Sequence, residues 1–324
     1  MLERSRPRLV NLGIIGLGGR WESDFQPALE KLRDRVAIRV IQDCVLQRAD
    51  TASKHYQSVA SSGVMSVLSR CDIDAVLVLD SGWYQSGLLA MLGRTEKPAF
   101  LPIELLALAH QEFAPHNDLV AIHENARETG RAVFPELTER YSPATWRLQE
   151  LTATKLGAIK GLDVVHHGGL EHDDLTASID WCCHLFGCLP TAVMVQPYTS
   201  DQIDREVKLM FETQEATLKQ ARIRFLGKDI DRSMESVQSL ETSTRTVTCD
   251  KGRATLTGPT QIFWECQTTE KFEDLSAERT NVEVMLDHFC RRVSGGLIPV
   301  PDLGDVLNAW QVAKTAMTKL RTKS

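Results

Sequence analysis

Short apolar runs alternate with helical patterns over the first 135 or so residues, and the first of these runs ends in a cluster of glycines. Val10-Asn11-Leu12-Gly13-Ile14-Ile15-Gly16 leads straight into Leu17-Gly18-Gly19-Arg20. Further β-rich runs follow at Val36 to Ile41, Ile73 to Leu79, Pro98 to Leu101 and Ala132 to Phe134. Helical patterns fill the intervals at 24–33, 46–58, 85–93 and 115–129. Strands alternating with helices of this length predict a doubly wound parallel sheet, a Rossmann-type α/β domain over 1–138. The runs are nearly unbroken in their apolar character, as strands covered on both faces require.

The pattern changes after about residue 140. A helix is expected from Pro143 to about Lys155, a strand from Ile159 to Val165, and a helix from Asp174 to Phe186 closed by Gly187. β-like runs then succeed one another at 191–196, 206–212, 221–226, 244–249, 253–257 and 260–266, and Asp250-Lys251-Gly252 supplies a hairpin turn. Consecutive strands without helices between them predict an antiparallel sheet, hence an α+β second domain over 139–300. Helical patterns at 277–293 and 302–321 finish the chain, and 301–324 is expected to pack back toward the first domain.

Composition narrows the function. The 324 residues are 43% hydrophobic and 25% charged, an ordinary globular balance. A net charge of −6 leaves no basic excess to neutralise phosphates, so nucleic acid is not an expected partner. No apolar run approaches the roughly 20 residues that span a bilayer, and no membrane role is expected. The start, MLERSRPRLV, lacks the apolar core and small-residue cleavage site of a signal peptide. The eight cysteines form no CxxC pair and read as free thiols of a reducing cytoplasm.

The glycine turn carries the clearest chemistry. Glycines between a first strand and a first helix allow a tight turn and close backbone approach to a pyrophosphate, which the helix N-terminus then favours. Gly16, Gly18, Gly19 and Arg20 are the candidate phosphate-binding residues. Trp21 occupies the place of the third glycine of GxGxxG. Asp43 follows the second strand, where a carboxylate can accept both ribose hydroxyls of an adenosine. It would repel a 2′-phosphate, which favours NAD over NADP. The alternative is a strand-end Asp that caps the next turn.

With these features the chain resembles the Gfo/Idh/MocA oxidoreductase family. The resemblance rests on GIIGLGGR at 13–20, Asp43 with QRAD at 47–50, DIDAVLVL at 72–79, ERYSPATWRLQEL at 139–151, DDLTASIDWCCHLFG at 173–187, and the closing helix after PVPDLGDV. It implies a large, mostly antiparallel sheet in the second domain, and NAD(P)-linked hydride transfer on a sugar, polyol or related small molecule. It also implies a homo-oligomer formed through that sheet.

The chain departs from the family where the chemistry is expected. The EKP tripeptide that follows the fifth strand is replaced, and Ile103 stands at the lysine position. A literal Glu96-Lys97-Pro98 lies ahead of that strand, so Lys97 is either the functional lysine or an exposed turn residue. In the DxxxHxxD motif Asp173 and Asp180 are kept, but Ala177 stands for the histidine. Asp80-Ser81-Gly82-Trp83-Tyr84 replaces the Pro and His that line the cofactor, which makes Asp80 and Ser81 candidate cofactor contacts. His172, oriented by Asp173, is a candidate base. The same loop could bind a metal through His167, His172 and Asp173, or simply cap a helix. Three functions stay open: an oxidoreductase with displaced catalytic groups, an inactive relative that binds a ligand, nucleotide or protein, and a metal-assisted lyase or hydrolase.

Overall fold

The computed structural model describes residues 9–102, 105–106, 115–167, 172–196, 205–212, 217–226, 243–267 and 269–322. Contacts divide the chain into two units, 1–138 with 281–307, and 139–280 with 308–324.

The first unit runs β1 (Val10–Ile15), α1 (Gln26–Lys31), β2 (Val36–Gln42), α2 (Leu46–Tyr56), β3 (Val59–Ser61), α3 (Val64–Leu68), β4 (Ala75–Val78), α4 (Gln85–Gly93), β5 (Ala99–Leu101), α5 (Pro115–Thr129) and β6 (Val133–Pro135). The six strands pair in parallel in the order β3-β2-β1-β4-β5-β6. β4 and β5 are buried at every position, because both faces are covered. The chain leaves β1 toward β2 on one side and returns to β4 on the other. That reversal places a crevice at the carboxyl ends of β1 and β4.

The second unit holds α6 (Pro143–Leu151), β7 (Ile159–His167), α7 (His172–Phe186) and the strands β8 (Pro190–Gln196), β9 (Arg205–Glu212), β10 (Leu218–Leu226), β11 (Thr244–Cys249), β12 (Gly252–Thr257), β13 (Gln261–Cys266) and β14 (Thr269–Asp274). They form one eight-stranded sheet in the order β14-β13-β12-β11-β7-β10-β9-β8. Only the β7–β10 pair is parallel. Burial alternates along β9 and β10, so one face meets the core and the other stays half-open. Both expected sheets are present, and the fold class is the predicted one.

Two helices follow, α8 (Asn281–Val293) and α9 (Leu303–Thr322). From sequence α8 falls in the second domain; in the structure it belongs to the first unit. Phe289 has no exposed surface and packs edge-on to Phe100 and Phe134, with ring centroids 6.1 Å away in each case. Glu283 and Asp287, both buried, pair with Lys31 and Arg35. Along α9, Leu303 and Val306 join the core of the first unit. Ala309, Ala313, Ala316 and Leu320 join that of the second.

All eight cysteines are free, and Cys182, Cys249 and Cys290 are buried. Burial pushes the Cys290 thiol up to about 12, which keeps it protonated and inert at neutral pH. No helix among the described residues is long and apolar enough to cross a membrane.

Candidate dinucleotide site and the second-unit cluster

In the first unit, the turn after β1 is shaped by its glycines. Gly16 has φ +68°, and a Cβ there would stand 2.1 Å from the Asp80 carbonyl oxygen. Gly18 has φ +65° and lies against Leu79 and Asp80. The glycine turn therefore presses directly on the exit of β4, and only glycine fits. Gly16 N–H donates to the Gln42 carbonyl at 2.8 Å, which ties the turn to the end of β2. Gly19 is different: a Cβ there would meet nothing within 4 Å. The turn is tight beneath and open above, which fits a group that needs close backbone approach.

Asp43 closes the site at the end of β2 and is only 7% exposed. Its Oδ2 accepts the Leu17 N–H at 2.8 Å and its Oδ1 accepts the Val45 N–H at 2.7 Å. The carboxylate therefore holds the glycine turn and the β2 exit together, while each oxygen keeps a second lone pair. Sequence reasoning missed a neighbour. Arg48, on the first turn of α2, donates through Nη2 to the Gly18 carbonyl at 2.6 Å. Its Nη1 lies 3.8 Å from Asp43 Oδ2. The only sequence signal was a cation five residues beyond Asp43, a spacing that means nothing until the strand and helix are in place.

Asp80 and Ser81 lie at the carboxyl end of β4, beside the glycine turn. Asp80 Oδ1 accepts the Gly82 N–H at 2.7 Å, and the Ser81 carbonyl accepts the Tyr84 N–H at 3.1 Å, so this loop braces itself. Arg20 joins two carboxylates. Its Nε donates to Asp24 at 2.8 Å and its Nη1 to the buried Glu136 at 2.7 Å. It bridges the start of the first helical segment to the end of β6. Trp21 opens that segment in a π-helical turn, Trp21–Phe25, and is buried edge-on to Tyr56 at 6.0 Å. A core ring, rather than a glycine's close approach, thus fills the third-glycine position.

Lys97 is not brought to this site. It precedes β5 and donates to the carbonyl of Ile73, which precedes β4, at 3.1 Å. That is the amino edge of the parallel sheet, opposite the glycine turn. Ile103 lies outside the described residues.

In the second unit, His172 opens α7. Its Nδ1 lies 3.2 Å from Thr176 Oγ1, and its ring is 6.4 Å from that of Trp310. Asp173 is exposed on the same turn. Asp180, the surviving second acid of the motif, is buried and engaged by the Arg140 guanidinium, with Nε to Oδ2 at 2.8 Å. Arg140 is thereby a structural partner, and Trp181 is core, donating to Thr145 Oγ1 at 3.0 Å. Sequence reasoning gave no particular role to His166 on β7. It lies 2.7 Å from Ser178 Oγ and stacks on Phe225 with ring centroids 4.7 Å apart. Burial, with Arg245 and His167 nearby, pushes its pKa down to about 4. Among the described residues no group of three His, Cys, Asp or Glu side chains could hold a metal ion.

A parallel sheet with a glycine turn and an acid at its switch point, joined in one chain to a large, mostly antiparallel sheet, defines a two-unit α/β class. Solved structures share this architecture over nearly their whole length. A dehydrogenase from Chromobacterium violaceum matches 97% of this chain and 96% of its own, with TM-score 0.74 and 13% identity. A Gfo/Idh/MocA family oxidoreductase from Vibrio cholerae matches 97% and 98%, with TM-score 0.71 and 18% identity. A 3-ketoreductase from Actinomadura kijaniata, solved with NADP and TDP-benzene, matches 96% and 98%, with TM-score 0.67 and 14% identity. The chain has the fold of the Gfo/Idh/MocA oxidoreductases. No protein-family model and no curated protein matches it by sequence.

Proposed function

We propose that this chain is a nicotinamide-dinucleotide-linked oxidoreductase acting on a sugar, polyol or related small molecule. The observation that carries the reading is the glycine turn. Gly16 and Gly18 are locked against Asp80, Gly19 faces open space, and Asp43 lies at the end of β2. The shared architecture supports it. Backbone N–H groups of the turn would hold the pyrophosphate, and Asp43 the adenosine ribose. The bound nicotinamide supplies hydride exchange. Asp43 favours NAD; Arg48, a cation 3.8 Å away, lessens the penalty on a 2′-phosphate and makes the preference modest. His172 is our candidate for the substrate hydroxyl proton, with Asp173 beside it on the first turn of α7. The half-open face of the eight-stranded sheet is our candidate surface for a second copy of the chain.

A second reading is a relative that binds a dinucleotide without turning over. It is favoured by Ala177 at the histidine position and by Lys97 on the amino edge of its sheet. A panel of polyols and sugars assayed with NAD⁺ separates the two. The first reading predicts NADH formation, reduced by about 10²–10⁴ in kcat for His172→Ala with NADH affinity unchanged. Saturable NADH binding without turnover on any of the panel supports the second.

A further inference from the structure

A cavity of about 280 Å³ opens in the first unit at the amino end of β6, walled by the end of α5, the end of α8 and the turn into α9. The strands are parallel, so this edge lies opposite the glycine turn. Arg127, Arg131 and Arg292 line the cavity, together with His123. One carboxylate, Asp302, is also present, but it is occupied. Its Oδ1 accepts the N–H of Gly304 at 2.7 Å and that of Asp305 at 3.3 Å, capping α9.

Among the described residues, none of the three arginines has a carboxylate within ion-pair distance. Arg131 is only 9% exposed. Its Nη1 donates to the backbone carbonyls of Leu92 and Thr95, and its Nε and Nη2 are sealed from solvent without a hydrogen-bond partner. Burial pulls its pKa down. Glu96 acts on it through space in the opposite direction, so a partly compensated positive charge stands close to the cavity. The guanidinium groups of Arg127 and Arg292, with the buried charge of Arg131 adding positive potential, suit the several oxygens of a phosphate. The rest of the wall, Val300, Pro301 and Leu303, is apolar. The volume is at the small end for ligand pockets, so the occupant must be compact.

We propose that this cavity is a second ligand site, taking a small phosphate-bearing molecule whose phosphate lies between Arg127 and Arg292 and whose remainder lies on Val300, Pro301 and Leu303. The site does not depend on what the glycine turn holds.

Calorimetric titration of the full chain tests it, with inorganic phosphate and a hexose phosphate as probes at constant ionic strength. Single-site binding is expected, with the hexose phosphate the tighter. Affinity should fall about tenfold or more in Arg127→Gln/Arg292→Gln, the loss of charge-assisted contacts. Arg292→Gln alone serves if the double variant melts early. NADH titration of the same variants should match the parent chain, since phosphate on the glycine turn would leave these variants unaffected. Equal phosphate affinity in parent and variant overturns the proposal, as does heat no larger than chloride gives at the same ionic strength. A hexose phosphate binding no tighter than inorganic phosphate overturns its organic part.

Discussion

Gly16 and Gly19 stand three residues apart in one turn and answer to different constraints. At Gly16 both the backbone angle and the Asp80 carbonyl forbid a side chain. Gly16→Ala should cost about 1–3 kcal/mol or more, read as a lower melting temperature. At Gly19 nothing lies within reach of a Cβ. Gly19→Ala should leave the melting temperature unchanged and weaken NADH binding, because only a bound phosphate would meet the new methyl group. Equal effects of the two substitutions on stability would contradict this division. His166 sets a pH dependence. Its pKa of about 4 in the folded chain lies below the ordinary 6.5, so the unfolded chain takes up the proton first as pH falls. Stability is therefore complete above about pH 6.5 and is lost progressively toward pH 4. The melting temperature of the parent chain should fall more between pH 7 and pH 5 than that of His166→Gln. Parallel pH profiles would show that His166 is not held neutral by its surroundings.

Elements were legible where periodicity reports burial. The central strands of the parallel sheet, such as β4 and β5, are buried on both faces and read as apolar runs; β9 and β10 alternate because one face is open. The two strands that sequence did not give, β3 and β14, are edge strands of their sheets. Val59–Ser61 is only three residues long, and Thr269–Asp274 is exposed at nearly every position. Such strands are held by backbone pairing on one side, which leaves little trace in side-chain pattern. α8 was found as a helix but assigned to the wrong neighbour. Its buried face is complementary to Phe100, Phe134, Lys31 and Arg35, and no local signal records so distant a match. Phe289→Ala should cost about 3–5 kcal/mol in urea unfolding of the chain. A loss under 1 kcal/mol would mean that α8 is only loosely attached to the first unit. The site divides in the same way. The glycine turn was legible because glycine is demanded by backbone geometry, and Asp43 because it ends a recognisable strand. The roles of Arg20 and Lys97 were not, since a long cation is directed by whichever acceptor the fold brings within reach: Glu136 for one, the Ile73 carbonyl for the other.

As a whole molecule, the chain joins a parallel six-stranded unit to an eight-stranded, mostly antiparallel one, an arrangement it shares with solved dehydrogenases at 18% identity or less. Architecture has outlasted sequence because it is specified by burial pattern and by a few backbone-constrained positions, which many side-chain choices satisfy. Catalytic positions are specified by chemistry alone, and there the resemblance aligns Ala177 and Ile103 with proton-transfer groups. The central claim is that the first unit holds a nicotinamide dinucleotide, and titration of the purified chain with NADH and NADPH tests it most directly. One saturable site per chain is predicted, tighter for NADH than for NADPH and weakened by Gly19→Ala. No saturable binding of either up to about 1 mM, the upper end of usual substrate affinities, would contradict it.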